Sequence, residues 1–167
     1  EGNISLDYIN IHKVLNYCTN SAKNSYGNEI FFEHIYDPSL PDFYANEELL
    51  IQIFTNLIKN GCEAQNNKGK IILKTSYNAN KKFLLNENDI PEIKPLQVEI
   101  IDFGIGISDT DLQSIFDPFV TKKKDGKGLG LSIVSNSIRT LDGSLEVSSE
   151  NGHTNFCLNF PLKNSKG

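Results

Sequence analysis

Apolar and polar positions change rhythm several times along this chain, and each change marks an element. Residues 4–9 alternate, as a short half-buried strand does. From residue 11 to about residue 23 the rhythm becomes helical, with Val14, Leu15 and Cys18 on one face. Ile30-Phe31-Phe32-Glu33-His34-Ile35 alternates again and stops at the turn cluster Asp37-Pro38-Ser39-Leu40-Pro41. Residues 46–66 carry the strongest helical pattern. Asn46 suits the N-cap, and Glu47 and Glu48 fill the first turn, where the helix dipole favours acids. Leu50, Ile53, Phe54, Leu57, Ile58 and Ala64 form its apolar side, and Asn66-Asn67-Lys68-Gly69 closes it.

Strands are predicted over 70–75 and 96–101. The polar stretch 78–94 joins them, as a long hairpin with a mobile tip or as a charged surface loop. A short helix follows Ser108-Asp109-Thr110-Asp111, and a loop runs over 117–127. With three lysines and no apolar anchor after Val120, that loop is expected to be mobile without a ligand. A helix is predicted from Leu129 to about Thr140. Two strands, 144–149 and 153–160, flank the turn Glu150-Asn151-Gly152. Interleaved strands and helices closed by a hairpin predict an α/β fold, a two-layer α/β sandwich of one mixed sheet with helices on one face.

Composition narrows the class. The chain has 167 residues, enough for one domain with a real core, with 38% apolar and 22% charged residues. Its net charge of -5 argues against nucleic acid as the main partner. No apolar run approaches the ~20 residues of a membrane span, so no membrane contact is expected from this domain. No leader-like segment opens the chain. Cys18, Cys62 and Cys157 fit neither a disulfide framework nor a zinc spacing, and read as reduced, mostly buried thiols of a cytoplasmic protein. The opening Glu1-Gly2-Asn3 and the absence of Met suggest a domain excised from a longer protein.

Three motifs carry the chemistry. Gln52, Asn56, Asn60 and Ala64 are spaced by four, and each step turns ~400° around a helix, so they form one slowly drifting stripe whose two consecutive amides lie opposite the Leu50, Ile53 and Leu57 side. An amide carbonyl is a hard, uncharged oxygen ligand suited to Mg²⁺ that keeps water and phosphate ligands. From the stripe alone, two exposed asparagines on a polar helix face are the plainer reading. Asp102 ends a buried strand and is followed by Gly104 and Gly106. A carboxylate can accept a hydrogen bond from an adenine amino group, where guanine presents a carbonyl, and glycines let backbone approach a flat base. A plain strand-to-loop turn also uses Asp and Gly. Gly126, Gly128 and Gly130 precede a helix whose first free amides can face phosphates, with Lys122, Lys123 and Lys124 just upstream. Neither a Walker A loop nor a dinucleotide fingerprint is present. A solvated lysine loop is the plain reading of that run.

In this order and spacing the motifs resemble the catalytic and ATP-binding domain of two-component sensor histidine kinases, in the superfamily shared with gyrase B, Hsp90 and MutL. The matching boxes are Asn56-Leu57-Ile58-Lys59-Asn60, Asp102-Phe103-Gly104-Ile105-Gly106, Phe116-Asp117-Pro118-Phe119, Gly126-Lys127-Gly128-Leu129-Gly130-Leu131, and Gly152-His153-Thr154-Asn155-Phe156. The opening Ile9-Asn10-Ile11-His12-Lys13-Val14-Leu15, the 36–41 turn, the short lid and Gly152-His153-Thr154 are similar to the nitrogen-regulation sensor kinases.

The resemblance implies a Bergerat-type fold over residues 1–167, with ATP and Mg²⁺ as cofactors. It makes Asn60 the metal ligand and places Asn56 at the phosphates or the metal shell. Asp102 would bind the adenine amino group, helped by Thr154, with Gly104 and Gly106 at the base. Thr121 and Lys122 would lie in the lid, Lys122 near the γ-phosphate, and Gly126, Gly128, Leu129, Gly130 and Leu131 would wrap the phosphates. Asn56 and Lys122 become the candidate catalytic residues. Hydrolysing relatives carry a glutamate where Asn56 stands, and an amide cannot act as a general base near neutral pH, which favours transfer to histidine. Glu63 departs from the basic residue many kinases have there, which shifts phosphate neutralisation onto the lid lysines.

No histidine here is followed by Glu or Asp as the family's acceptor usually is; His34 reads as a satisfied structural residue. The implied partners are therefore a dimerisation and phosphoacceptor domain lying upstream and a response regulator, with a PII-type signal protein from the nitrogen-regulation likeness. The chain alone is expected to be monomeric. The competing readings are a serine-directed kinase of the same superfamily and a non-catalytic nucleotide-sensing module.

Overall fold

The computed structural model describes residues 5–84, 88, 90–113 and 130–162. In chain order the elements are β1 (Asp7–Ile9), α1 (Ile11–Lys23), β2 (Glu29–Ile35), β3 (Phe43–Ala45), α2 (Glu47–Glu63), β4 (Lys68–Tyr77), β5 (Lys82–Phe83), β6 (Glu92–Ile93), β7 (Leu96–Asp102), α3 (Asp109–Leu112), α4 (Gly130–Thr140), β8 (Ser144–Glu150) and β9 (His153–Phe160). Side-chain caps start the first two helices. Asn10 accepts from the amides of His12 and Lys13 at 3.0 and 3.2 Å. Asn46 accepts from the amide of Leu49 at 2.8 Å.

One five-stranded sheet runs in the order β2-β4-β7-β9-β8. β2 and β4 are parallel, and every other pair in it is antiparallel. Helix α2 packs between α1 and α4 and lies on β4 and β7. Along β7 the side chains of Leu96, Val98, Ile100 and Asp102 are buried, whereas Gln97, Glu99 and Ile101 are only half-buried on the opposite face. The core between sheet and helices holds Leu50, Ile53, Phe54, Leu57, Ile71, Leu73, Leu158 and Phe160, all fully buried. The two-layer sandwich with helices on one face is the predicted fold.

The opposite face is partly covered by the paired β5 and β6. Lys81 bridges to Glu146 of β8, and Asn159 donates to the Lys94 carbonyl at 3.2 Å. The stretch 78–94 is thus the predicted hairpin; residues 85–87 and 89 lie outside the described residues.

Several boundaries differ from expectation. β1 starts at Asp7: among the described residues of the predicted span, Asp7, Tyr8 and Ile9 pair with β3. The strand β3 is not among the predicted elements: three residues before a helix cap are too few to show alternation. Helix α2 ends at Glu63, three residues early, because Asn66 and Asn67 take left-handed backbone (φ 53° and 58°) and turn the chain into β4. β4 is longer than the predicted 70–75, since both neighbours pair along its length. The 117–127 loop and its expected mobility lie outside the described residues. Cys18, Cys62 and Cys157 are free thiols, the first two buried and the third half-buried.

Candidate functional site

At the end of β7 the inward position is taken by a carboxylate, where the pattern of that strand would place another aliphatic side chain. Asp102 is only 3% exposed. Its direct cross-strand neighbours are Ile71 on β4 and Thr154 on β9, and Thr154 in turn faces Ser149 on β8. Residues directly opposite share a face, so Ile71, Asp102, Thr154 and Ser149 form one row beneath the helices. Burial raises the Asp102 pKa. The Gly104 amide, donating to Oδ1 at 3.0 Å, and the charge of His153 oppose that shift without cancelling it. A buried, under-compensated carboxylate is costly to the fold and typical of a site that awaits a donor.

Helix α2 approaches this carboxylate at a glycine. A Cβ on Gly61 would stand 3.3 Å from Asp102 Cβ and 3.1 Å from Ile71 Cδ1. Gly61 follows Asn60 directly, so the asparagine stripe and the carboxylate are brought together by one close helix–sheet contact. Asn56 and Asn60 are half-buried, and Gln52 is exposed. The Asn56 amide nitrogen donates to the Gln52 carbonyl at 3.0 Å. A carbonyl can only accept, which fixes the nitrogen against the helix and leaves Oδ1 as the outward atom. Gln52 Oε1 accepts from Ser137 of α4 at 3.3 Å, tying the stripe to the helix that follows the glycine motif.

The loop after Asp102 is held at both ends. A Cβ on Gly104 would lie 2.5 Å from the Ala64 carbonyl oxygen, and the Ile105 amide donates to that oxygen at 3.2 Å. The close approach that Gly104 serves in this structure is therefore to the end of α2. Gly106 has φ +79°, a left-handed conformation that favours glycine. The next amide, Ile107, donates to Ser149 Oγ at 2.8 Å.

The structure brings Asn56, Asn60, Asp102, Gly104, Gly106 and Thr154 into one region. Gly130 opens α4, and Leu131 packs half-buried against the core. Thr121, Lys122, Gly126, Gly128 and Leu129, and the 116–119 box, lie outside the described residues. Among the described residues no three His, Cys, Asp or Glu side chains converge on a metal position. Two contributors were not anticipated. Gly61 had a readable signal, because a glycine inside a helix costs about 1 kcal/mol and needs a packing reason. Ser149 had none, since only the β8–β9 register puts it opposite Thr154.

Two histidines lie away from the site. His12 stacks on Tyr36 with centroids 4.3 Å apart, and its Nε2 meets Thr75 Oγ1 at 2.7 Å. His34 Nε2 meets Thr19 Oγ1 at 3.2 Å. Burial lowers both pKa values, against the Asp37 charge at His12 and with the Lys23 charge at His34. His34 is the satisfied structural histidine expected.

Known proteins resemble this chain in sequence and in fold. The chain is 40% identical over 157 residues to the sensory histidine kinase/phosphatase NtrB of Azospirillum brasilense, covering 93% of this chain and 39% of that protein. It is 36% identical over 155 residues to the NtrB of Rhizobium leguminosarum bv. phaseoli, covering 92% of this chain and 40% of that protein. The chain thus spans about two fifths of the length of these curated relatives. Among solved structures, full-length ShkA in complex with AMPPNP superposes with TM-score 0.79 at 24% identity, over 99% of this chain and 33% of that one. The catalytic domain of histidine kinase ThkA superposes with TM-score 0.77 at 22% identity, over 95% and 96%. No helix among the described residues is long and apolar enough to cross a membrane. The family profile described as histidine kinase-, DNA gyrase B-, and HSP90-like ATPase matches residues 45–164, and the chain belongs to that family.

Proposed function

We propose that residues 1–167 are the catalytic and ATP-binding domain of a nitrogen-regulation-type sensor histidine kinase. It binds Mg-ATP and passes the γ-phosphoryl group to a histidine on a separate dimerisation domain, for relay to a response-regulator aspartate. The observation that carries the reading is the buried Asp102, packed through Gly61 against the helix bearing Asn56 and Asn60. Two of the three sequence motifs thereby meet, one offering a base acceptor and the other hard amide oxygens. The 40% identity to a protein named as a sensory histidine kinase/phosphatase supports the same reading.

In this account Asp102 accepts from the adenine amino group, with Thr154 beside it. Asn60 would ligate Mg²⁺, and Asn56 would lie at the phosphates or the metal shell. The outward Asn56 oxygen and the uncharged oxygen set fit a metal that keeps water and phosphate ligands. The ion, when bound, neutralises phosphate charge. Thr121, Lys122, Gly126, Gly128, Leu129, Gly130 and Leu131 enclose the phosphates, Lys122 nearest the γ-phosphate. In the transfer the bond from phosphorus to the ADP oxygen breaks and one to an imidazole nitrogen forms. A neutral imidazole attacks with its own lone pair, so Asn56, which cannot take a proton, suffices where hydrolysis would need a base. The domain acts in the cytoplasm as a monomer when separate, and a PII-type protein is its regulatory partner.

Titration calorimetry tests the site. Mg-ATP should bind the wild-type chain, and Asn60→Ala should abolish the Mg²⁺ dependence. Identical ATP binding by Asn60→Ala with and without Mg²⁺ chelation supports the assignment only if the wild type loses affinity on chelation; Mg²⁺-dependent binding that survives Asn60→Ala removes it.

A further inference from the structure

We propose that Ser149 is a positioning residue for base selectivity: its single hydroxyl aligns Thr154 and clips the Gly106-Ile107 turn beside Asp102. The inference rests on the reading above that Asp102 and Thr154 meet the base.

Ser149 lies on the edge strand β8 with its side chain on the helix-facing side, opposite Thr154, which is opposite Asp102. Its Oγ makes two contacts. The Ile107 amide donates to it at 2.8 Å, and Thr154 Oγ1 lies 2.9 Å away. Gly106 completes the clamp, since a Cβ there would come within 3.0 Å of the same oxygen. One serine side chain thus joins the loop after Asp102 to the threonine beside Asp102. Thr154 is 2% exposed, so its hydroxyl has little recourse to solvent.

The chemistry of two facing hydroxyls makes the link directional. Each carries one proton and two lone pairs. The Ile107 amide occupies one lone pair of Ser149. When Ser149 donates to Thr154, the Thr154 proton is released toward a ligand. When Thr154 donates to Ser149, the Ser149 proton finds no acceptor among the described residues. A ligand that accepts from Thr154 while donating to Asp102 matches the first arrangement. The adenine edge does this, directly or through a water, with a ring nitrogen beside its amino group. Hypoxanthine presents a carbonyl and a ring N–H instead. It opposes the Asp102 carboxylate and also forces the hydroxyl pair to reverse. Ser149 therefore adds to a preference that Asp102 begins. An unconstrained Thr154 could rotate to suit either base.

The test compares ATP with inosine triphosphate on the 167-residue chain, by displacement of a fluorescent ADP analogue. Wild type should prefer ATP. Ser149→Ala should lower the preference about three- to tenfold, the range of one net hydrogen bond, and Ser149→Thr should restore it. Thr154→Val should lose a similar factor, and the double variant should lose little more than either single one. If Ser149→Ala folds poorly, the Ser149→Thr and Thr154→Val pair tests the same link. Equal weakening of both nucleotides with an unchanged ratio, or a full preference in Thr154→Val, overturns the inference alone. A wild type without preference overturns the base-reading role of Asp102 and this inference together.

Discussion

Replacing Asp102 by Asn should weaken ATP binding while leaving the unliganded fold as stable as before or more so. The carboxylate is 3% exposed, and burial holds its pKa above the usual carboxylate value. A folded-state pKa above the unfolded one means that the folded chain holds the proton more firmly. The contribution of this group to stability therefore falls as pH rises from the ordinary carboxylate range, near 3.8, through the folded value, and the burial penalty stands once the carboxylate is ionised. Asparagine removes the charge and that penalty. It also keeps the contact to the Gly104 amide, 3.0 Å from Oδ1, provided its oxygen takes that place. Flipping the amide would set its NH₂ against the Gly104 N–H, donor against donor. With its oxygen kept on the Gly104 amide, the side chain presents the ligand with an NH₂ group where the second carboxylate oxygen had been, opposed to the amino group of adenine. The loss should be about 1.5–3 kcal/mol, the range for a hydrogen bond to a charged group, or roughly 10- to 150-fold in affinity. Calorimetry gives the affinity, and urea denaturation between pH 5 and 8 gives the stability. Undiminished ATP affinity refutes the base contact. A loss of stability beyond about 1 kcal/mol, the ordinary cost of a destabilising substitution, refutes the view that this carboxylate is kept for a ligand and not for the fold.

Two further outcomes follow from the packing. Gly104→Ala would set a methyl 2.5 Å from the Ala64 carbonyl oxygen, a backbone atom, so urea denaturation should show a loss of about 1–3 kcal/mol; unchanged stability would mean the end of α2 can retreat. His12 and His34 have lowered pKa values, so their contribution is present above the ordinary histidine value of 6.5 and is lost as pH falls below it. The urea midpoint should fall between pH 7 and 5, and His34→Gln should flatten part of that slope; an identical slope in the variant would show that His34 is not responsible.

The fold was readable where a strong period ran long enough to declare itself. α1 coincides with its predicted span, and the alternation of 30–35 gave β2 almost unchanged. Asn46 announced the start of α2 because a capping side chain is a local signal. Its end was less legible: Asn66 and Asn67 hold left-handed backbone that a helix-ending cluster suggests but does not place. β3 exists because β1 lies beside it, a pairing that no local pattern encodes. The same division holds at the site. Asn56, Asn60 and Asp102 are conspicuous by spacing and chemistry, and the structure gathers them through Gly61. Glycine at 104 suggested an approach to a base, whereas its nearest constraint is the Ala64 carbonyl. Ser149 is silent in sequence, since one serine among polar residues on an edge strand gains meaning only from the register that sets it against Thr154.

The central claim, transfer of a phosphoryl group to histidine, is tested most directly by incubating the chain with Mg²⁺, ATP labelled at the γ-phosphate, and a separately prepared dimerisation domain carrying the acceptor histidine. The account predicts label on the acceptor domain that is stable to base and lost in acid, as a phosphorus–nitrogen bond is, and absent with Asn60→Ala. No label on an acceptor domain that a full-length kinase does phosphorylate, or acid-stable label on a serine, would contradict it.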